Sequence, residues 1–61
     1  MNIDILHVRR LARENTVIMT IVEALADCAD EASNMYALNL CGRMTANIES
    51  ISRLTGIPKI A

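Results

Sequence analysis

Aromatic residues are almost missing from this chain, which has one tyrosine and neither tryptophan nor phenylalanine among its 61 residues. The apolar residues, 52% of the total by a broad count, are mainly Ala, Ile, Leu, Val and Met, a composition that suits helices. The length allows one domain, spanning 1–61, and so short a chain buries only about 60% of the surface that its unfolded state exposes. We therefore expect an all-α protein that completes its core by pairing with a second copy.

An excess of positive charge is also missing. Six Lys and Arg stand against seven Asp and Glu, for a net charge of −1, so no overall basic field attracts nucleic acid. No apolar run approaches the ~20 residues of a membrane span. The stretch 17–22 is shorter than a secretory h-region of roughly 7–15 residues, and Glu23 ends it. A cytoplasmic protein without membrane association is expected.

Cysteine and histidine are too few for a metal site or a disulfide scaffold. Cys28 and Cys41 lack zinc-site spacing and are expected to be free thiols that behave as small buried hydrophobic residues. His7 is the only histidine and has no nucleophile or co-ligand at useful spacing. Gly42 and Gly56 are isolated and form no phosphate-binding loop. We expect no cofactor, no metal and no enzymatic activity, because so short a chain has few residues to line a catalytic pocket.

Apolar residues at helical spacing predict a first helix over 16–32, with Asn15 or Thr16 as its N-cap. The residues of its stripe are Val17, Ile18, Ile21, Val22, Leu25, Cys28, Ala29 and Ala32. A second stripe predicts a helix over 35–55, and it comprises Ala37, Leu40, Cys41, Met44, Ile48, Ile51 and Thr55. Gly56 and Pro58 end this helix and begin the C-terminal tail 56–61.

The two stripes are displaced by roughly 110° when they are drawn on one helical wheel. A turn near 31–35, where Ser33 and Asn34 are good N-caps, accounts for the displacement and predicts an antiparallel helical hairpin. One unbroken helix is the alternative. Residues 1–14 form no single narrow stripe; they are expected to be a short helix or arm, although Asn2 to Ile5 also alternate like a strand.

The predicted architecture is thus a short N-terminal segment plus an antiparallel two-helix hairpin, completed as a homodimeric helical bundle. The residues assigned to the dimer core are Ile18, Ile21, Val22, Leu25, Met44, Ile48 and Ile51. Each of these side chains contributes about 1.5–3 kcal/mol when it is fully buried, so leaving several exposed is unfavourable.

Three groups of residues are candidates for binding a second protein. The acidic group is Glu23, Asp27, Asp30 and Glu31, which is either a solvated face or a docking strip for a basic partner. The basic group is Arg9, Arg10 and Arg13, which either pair with acidic residues of a neighbouring helix or chain, or bind phosphate or an acidic partner. Tyr36 is either a packing residue at the hairpin end or an interface anchor.

These features favour a small regulatory protein that acts by stoichiometric protein–protein binding. A transcriptional regulator is the candidate target, as for antirepressors and antiactivators, which this chain resembles in size and composition only. One alternative is a DNA-binding dimer of ribbon-helix-helix type, whose strand would span 2–8. The other alternative is a structural subunit of a larger assembly.

Overall fold

Two α-helices account for most of the chain in the computed structural model, which describes residues 4–59. Helix α1 spans Ile5–Ala26 and helix α2 spans Glu31–Thr55. The turn 27–30 joins them, and the helices pack against each other side by side. The predicted all-α hairpin is confirmed at this level.

Helix α1 begins earlier than the sequence suggested. The Asp4 carboxylate accepts a hydrogen bond from the backbone N–H of His7 at 3.0 Å and caps the first turn. The predicted start at Asn15 or Thr16 is wrong, since the Thr16 hydroxyl donates back to the Ala12 carbonyl at 3.2 Å inside a continuous helix. Residues 5–8 are helical, so the strand that the ribbon-helix-helix alternative needs is absent there; residues 1–3 lie outside the described range.

The turn also lies earlier than the predicted 31–35, because Asp30 rather than Ser33 or Asn34 caps α2. Asp30 has an extended backbone, and its carboxylate accepts hydrogen bonds from the Ser33 backbone N–H at 2.9 Å and from the Ser33 hydroxyl at 2.8 Å. Ser33 is therefore the donor to the cap and not the cap itself. The alternative of one unbroken helix is excluded.

The end of α2 agrees with the prediction. Gly56 has a φ of 73°, in the left-handed region that glycine adopts without strain, and its N–H donates to the Ser52 carbonyl at 2.8 Å. The Ser52 hydroxyl in turn donates to the Ile57 carbonyl at 2.7 Å. These bonds hold Gly56 and Ile57 against the last turn of α2.

The helices meet along a seam in which residues alternate at spacings of three and four, as in an antiparallel coiled coil. In α1 the seam comprises Val8, Leu11, Asn15, Ile18, Val22 and Leu25. In α2 it comprises Ser33, Ala37, Leu40, Met44, Asn47, Ile51 and Leu54. Of the described residues, only Ile18, at 4% exposure, and Asn47, at 8%, are buried, and the rest of the seam is half-buried. Two helices alone leave this seam open at both sides.

Neither of the two helices combines the length and the apolar character that crossing a membrane requires.

Candidate protein-interaction surfaces

A polar layer crosses the middle of the seam and fixes how the helices align. The Asn47 side-chain amide donates to the Asn15 side-chain oxygen and to the Glu14 carboxylate, both at 2.9 Å. The Asn15 amide donates to the Met44 carbonyl at 3.3 Å, and the Arg43 guanidinium donates to Glu14 at 2.6 Å. Hydrogen bonds from Asn47 and then from Arg43 lower the pKa of Glu14, and the same carboxylate raises the pKa of Arg43.

The Glu14–Arg43 ion pair also shows which helix positions share a side of the hairpin. Each of these residues immediately precedes a seam residue, Asn15 or Met44, and their side chains meet across the seam. In an antiparallel pair, positions that precede a seam residue therefore lie on one side, and positions that follow one lie on the other. The hairpin accordingly has two broad faces, and they differ in chemistry.

On the first face, no charged residue lies along α2 or, in α1, between Arg9 and Glu23, which also follow seam residues and lie toward its two ends. We call this face the uncharged face. Its α1 positions are Ile5, Arg9, Ala12, Thr16, Met19, Glu23 and Ala26, and its α2 positions are Asn34, Leu38, Cys41, Thr45, Ile48, Ser52 and Thr55. Four of its large apolar side chains are open to solvent, with exposed fractions of 67% for Leu38, 54% for Ile5, 47% for Ile48 and 44% for Met19.

An apolar hollow of about 160 Å³ lies at one end of the uncharged face. The turn of chain after α2 forms one wall, because Ile57 and Pro58 fold back beside the helix. The other lining residues are Ile48, Ile51, Ser52, Thr55 and Lys59. The Lys59 ammonium is held by Glu49 at 3.1 Å. The hollow is shaped for an apolar side chain rather than for a charged ligand.

The opposite side, which we call the mixed face, combines apolar and charged groups. Toward the turn it carries Val17 and Ile21 of α1 and Tyr36 of α2, with Tyr36 51% exposed. Toward the termini the Glu14–Arg43 pair crosses it. Tyr36 was expected at the turn itself, but it lies within α2, toward the turn end of the hairpin, and is half-exposed.

The acidic group lies at the turn end and does not form one helix face as predicted. Glu23, Asp27 and Glu31 are exposed and flank the turn, whereas Asp30 is engaged in capping α2. Its hydrogen bonds with Ser33 lower the pKa of Asp30. Three exposed carboxylates and the cap therefore make this end of the hairpin acidic.

The basic group lies toward the other end, on the outer side of α1. Arg9, Arg10 and Arg13 are exposed and, together with Leu6, line a shallow hollow of about 250 Å³. Leu6 is 71% exposed. The two charged groups that the sequence indicated thus lie at opposite ends of the hairpin and do not meet within one chain.

The residues assigned to a dimer core divide between the seam and the faces. Ile18, Val22, Leu25, Met44 and Ile51 lie in the seam of the hairpin itself. Ile21 lies on the mixed face at 36% exposure and Ile48 on the uncharged face at 47%. The sequence did not single out Leu38 or Thr45 of the uncharged face; the run of α2 positions without charge was the signal that could have found them.

The cysteines are both free thiols, as predicted, but they are not both buried. Cys28 is exposed and Cys41 is half-buried. Cys28 was expected to be buried on the apolar stripe of the first helix; that expectation is wrong because α1 ends at Ala26 and Cys28 falls in the turn.

In the part of the chain between Asp4 and Lys59, no three His, Cys, Asp or Glu side chains are grouped closely enough to hold a metal ion. Comparison of the chain with protein-family models, with curated proteins and with solved structures finds no match.

Proposed function

We propose that this is a small non-enzymatic regulatory protein that pairs with a copy of itself and acts by stoichiometric binding to a second protein. One observation carries the proposal: the chain has an accessible surface of 4889 Å², whereas compact monomers of its 6.7 kDa mass have about 3,900 Å². Roughly 1,000 Å² is in excess of what a folded monomer of this size exposes.

The shape of the hairpin explains this excess. Its extents are 47 × 21 × 14 Å, so it is a slab one helix thick. Its radius of gyration is 13.6 Å, against about 10.5 Å for a compact domain of 61 residues. A slab of this kind has almost no interior, and most of its apolar side chains are fully covered only when another molecule packs on it.

The two faces suit two kinds of partner. The uncharged face has the composition of an interface core, where charged residues are depleted. The mixed face presents Tyr36, an aromatic residue of the type enriched at binding hot spots, beside Val17 and Ile21. The acidic turn end favours encounter with a basic surface, because charge complementarity acts mainly on association rate and specificity. The basic DNA-binding surface of a transcriptional regulator is such a target.

Affinity capture from the native cell, followed by mass spectrometry, tests the second-protein part of the proposal. We expect the wild-type chain to retain one protein in stoichiometric amount, and Tyr36→Ala to lose it. Leu6→Ala is the matched control, since Leu6 is also exposed but lies on the outer side of α1, away from the mixed face. Equal capture by both variants, or no stoichiometric partner at all, contradicts the proposal.

Charge reversal at the turn tests the acidic group separately. Glu23→Lys, Asp27→Lys and Glu31→Lys are combined, and Asp30 is left intact because it caps α2. We expect a slower association with the captured partner and a loss of its salt dependence. Glu49→Lys controls for a change of charge elsewhere. An unchanged rate and salt dependence means that the acidic group is only a solvated surface.

A further inference from the structure

We propose that a second copy docks on the uncharged face, about a two-fold axis that passes near Thr45, with the turns of the two hairpins at opposite ends. This arrangement rests on the self-pairing proposed above and specifies where and how it occurs. Four features lead to it: the scarcity of charge on this face, the register of the two α2 helices, the charges at the two ends of the hairpin, and the area of the excess surface.

The scarcity of charge selects the face. The core of a protein interface is depleted of charged residues, and the uncharged face meets that condition along all of α2 and, in α1, between Arg9 and Glu23. The mixed face does not, because the Glu14–Arg43 pair crosses it, and covering that pair would take two charges out of water. A second copy therefore packs on the uncharged face with the smaller desolvation penalty.

The register of the two α2 helices follows from a protruding leucine, the knob, and an apolar hollow that lie on the same face. In two antiparallel α2 helices related by an axis at Thr45, Leu38 of one copy lies opposite Ser52 of the other, each seven residues from the axis and about 10 Å along the helix. Leu38 is 67% exposed, and Ser52 lines the apolar hollow of about 160 Å³. Two-fold symmetry makes this contact twice, as a self-complementary interface requires.

Gly42 fits the same register. Gly42 lies on the outer side of α2 next to Cys41, and an axis at Thr45 sets it at the level of Ile48 of the second copy, each three residues from the axis. Glycine weakens a helix interior, and nothing within 4 Å of an added Cβ at Gly42 explains its presence in the isolated hairpin. Ile48 is 47% exposed, and the missing side chain at Gly42 leaves room for it.

The charged ends select opposite directions for the two turns. The turn end carries Glu23, Asp27 and Glu31, and the other end carries the basic group of α1 together with Arg53. Hairpins whose turns point the same way would set acidic end beside acidic end. Opposite directions set each acidic end beside a basic end, which lowers the electrostatic energy of the pair and favours this orientation.

The area agrees with a dimer of ordinary size. The excess surface is roughly 1,000 Å² per chain, and a standard interface buries about 800 Å² on each partner. One face of one second copy is therefore enough to account for the excess.

Cross-linking at the axis tests the arrangement. In a Cys28→Ala, Cys41→Ala background, Thr45→Cys is treated with a short bismaleimide cross-linker, and the covalent dimer is measured on a denaturing gel. Thr20→Cys is the matched control, an exposed threonine on the outer side of α1. We expect at least about tenfold more covalent dimer with Thr45→Cys than with Thr20→Cys, because only the axis brings like residues of two copies together. Equal yields overturn the proposal.

Substitution of Leu38, the knob, tests whether the second copy packs on the uncharged face. Leu38→Asp is expected to raise the dimer dissociation constant by roughly a hundredfold or more, since two leucines lose their burial at once. Val17→Asp, at a position 54% exposed on the mixed face, is expected to leave it within about threefold of wild type. The reverse result places the second copy on the mixed face and overturns this inference while self-pairing stands. A wild-type chain that is monomeric overturns the self-pairing itself.

Discussion

Asn15 and Asn47 are polar residues at seam positions where a helical pair ordinarily holds apolar ones. Each amide donates across the seam, and no buried side-chain nitrogen or oxygen of the described residues lacks a hydrogen-bond partner. A single polar layer of this kind specifies register, because sliding one helix along the other would leave each amide facing apolar side chains. The pair therefore determines which residues share a level of the hairpin, and hence the composition of both faces.

Asn47→Ala is expected to lower the free energy of unfolding by about 1–3 kcal/mol, because it leaves the Asn15 oxygen without its donor in a half-buried site. Urea denaturation measures the loss. Asn39→Ala, an exposed asparagine on the same helix, is expected to change the midpoint little. The double variant Asn15→Leu, Asn47→Leu is expected to regain stability with less specific pairing. Equal effects of the Asn47 and Asn39 substitutions would contradict a special role for the layer.

Glu14 makes the stability that the polar layer contributes dependent on pH. The pKa of Glu14 is lowered in the folded chain, so its contribution to stability is present above the ordinary glutamate pKa of about 4.3 and is lost as the pH falls through the lower folded value. Thermal unfolding measured between pH 7 and pH 2 is expected to show this loss. Glu14→Gln is expected to reduce the acid slope without abolishing it, because the pKa of Asp30 is also lowered. An unchanged slope in Glu14→Gln, with Glu31→Gln as the control, argues against this account.

At the scale of the helices, features that depend on neighbouring residues could be predicted from the sequence. Contacts between the two helices could not. Gly56 ends α2 as predicted, because the left-handed conformation of glycine is a local property. A helix was expected before residue 15, but its continuity with the next helix was not, because Asn15 interrupts the apolar stripe and is a typical N-cap residue. Only its partner Asn47, in the other helix, reveals it as a seam residue.

The turn was misplaced for a related reason. Asp30, Ser33 and Asn34 are all good N-cap residues, and the sequence offers no means of choosing among them. In the structure Ser33 donates both its N–H and its hydroxyl to Asp30, which makes Asp30 the cap. Because Asp30 is also acidic, the sequence indicates a binding role for it as well, so one residue supports two interpretations.

Asp30→Ala is expected to lower the melting temperature of the hairpin, because the first turn of α2 loses its cap, whereas Asp30→Asn is expected to retain most of the stability. Asn34→Ala is the matched control and is expected to have little effect. Circular dichroism during heating provides the measurement. Greater damage from Asn34→Ala than from Asp30→Ala would mean that the turn lies near 31–35 after all.

At the scale of the whole molecule, the composition indicated a need for a partner, and the slab shape supports the same conclusion. Only Ile18 among the described apolar residues is buried, too little to stabilise a domain by itself, since domains of this length are marginal even when compact. The sequence could not indicate which face the partner covers. That depends on how two helices align, and the polar layer across the seam sets this alignment.

Sedimentation equilibrium of the wild-type chain, over a range from low to high micromolar concentration, tests self-pairing most directly. We expect a mass of twice the 6.7 kDa of one chain, with dissociation only toward the lowest concentrations. A folded monomer of 6.7 kDa across the whole range would contradict it.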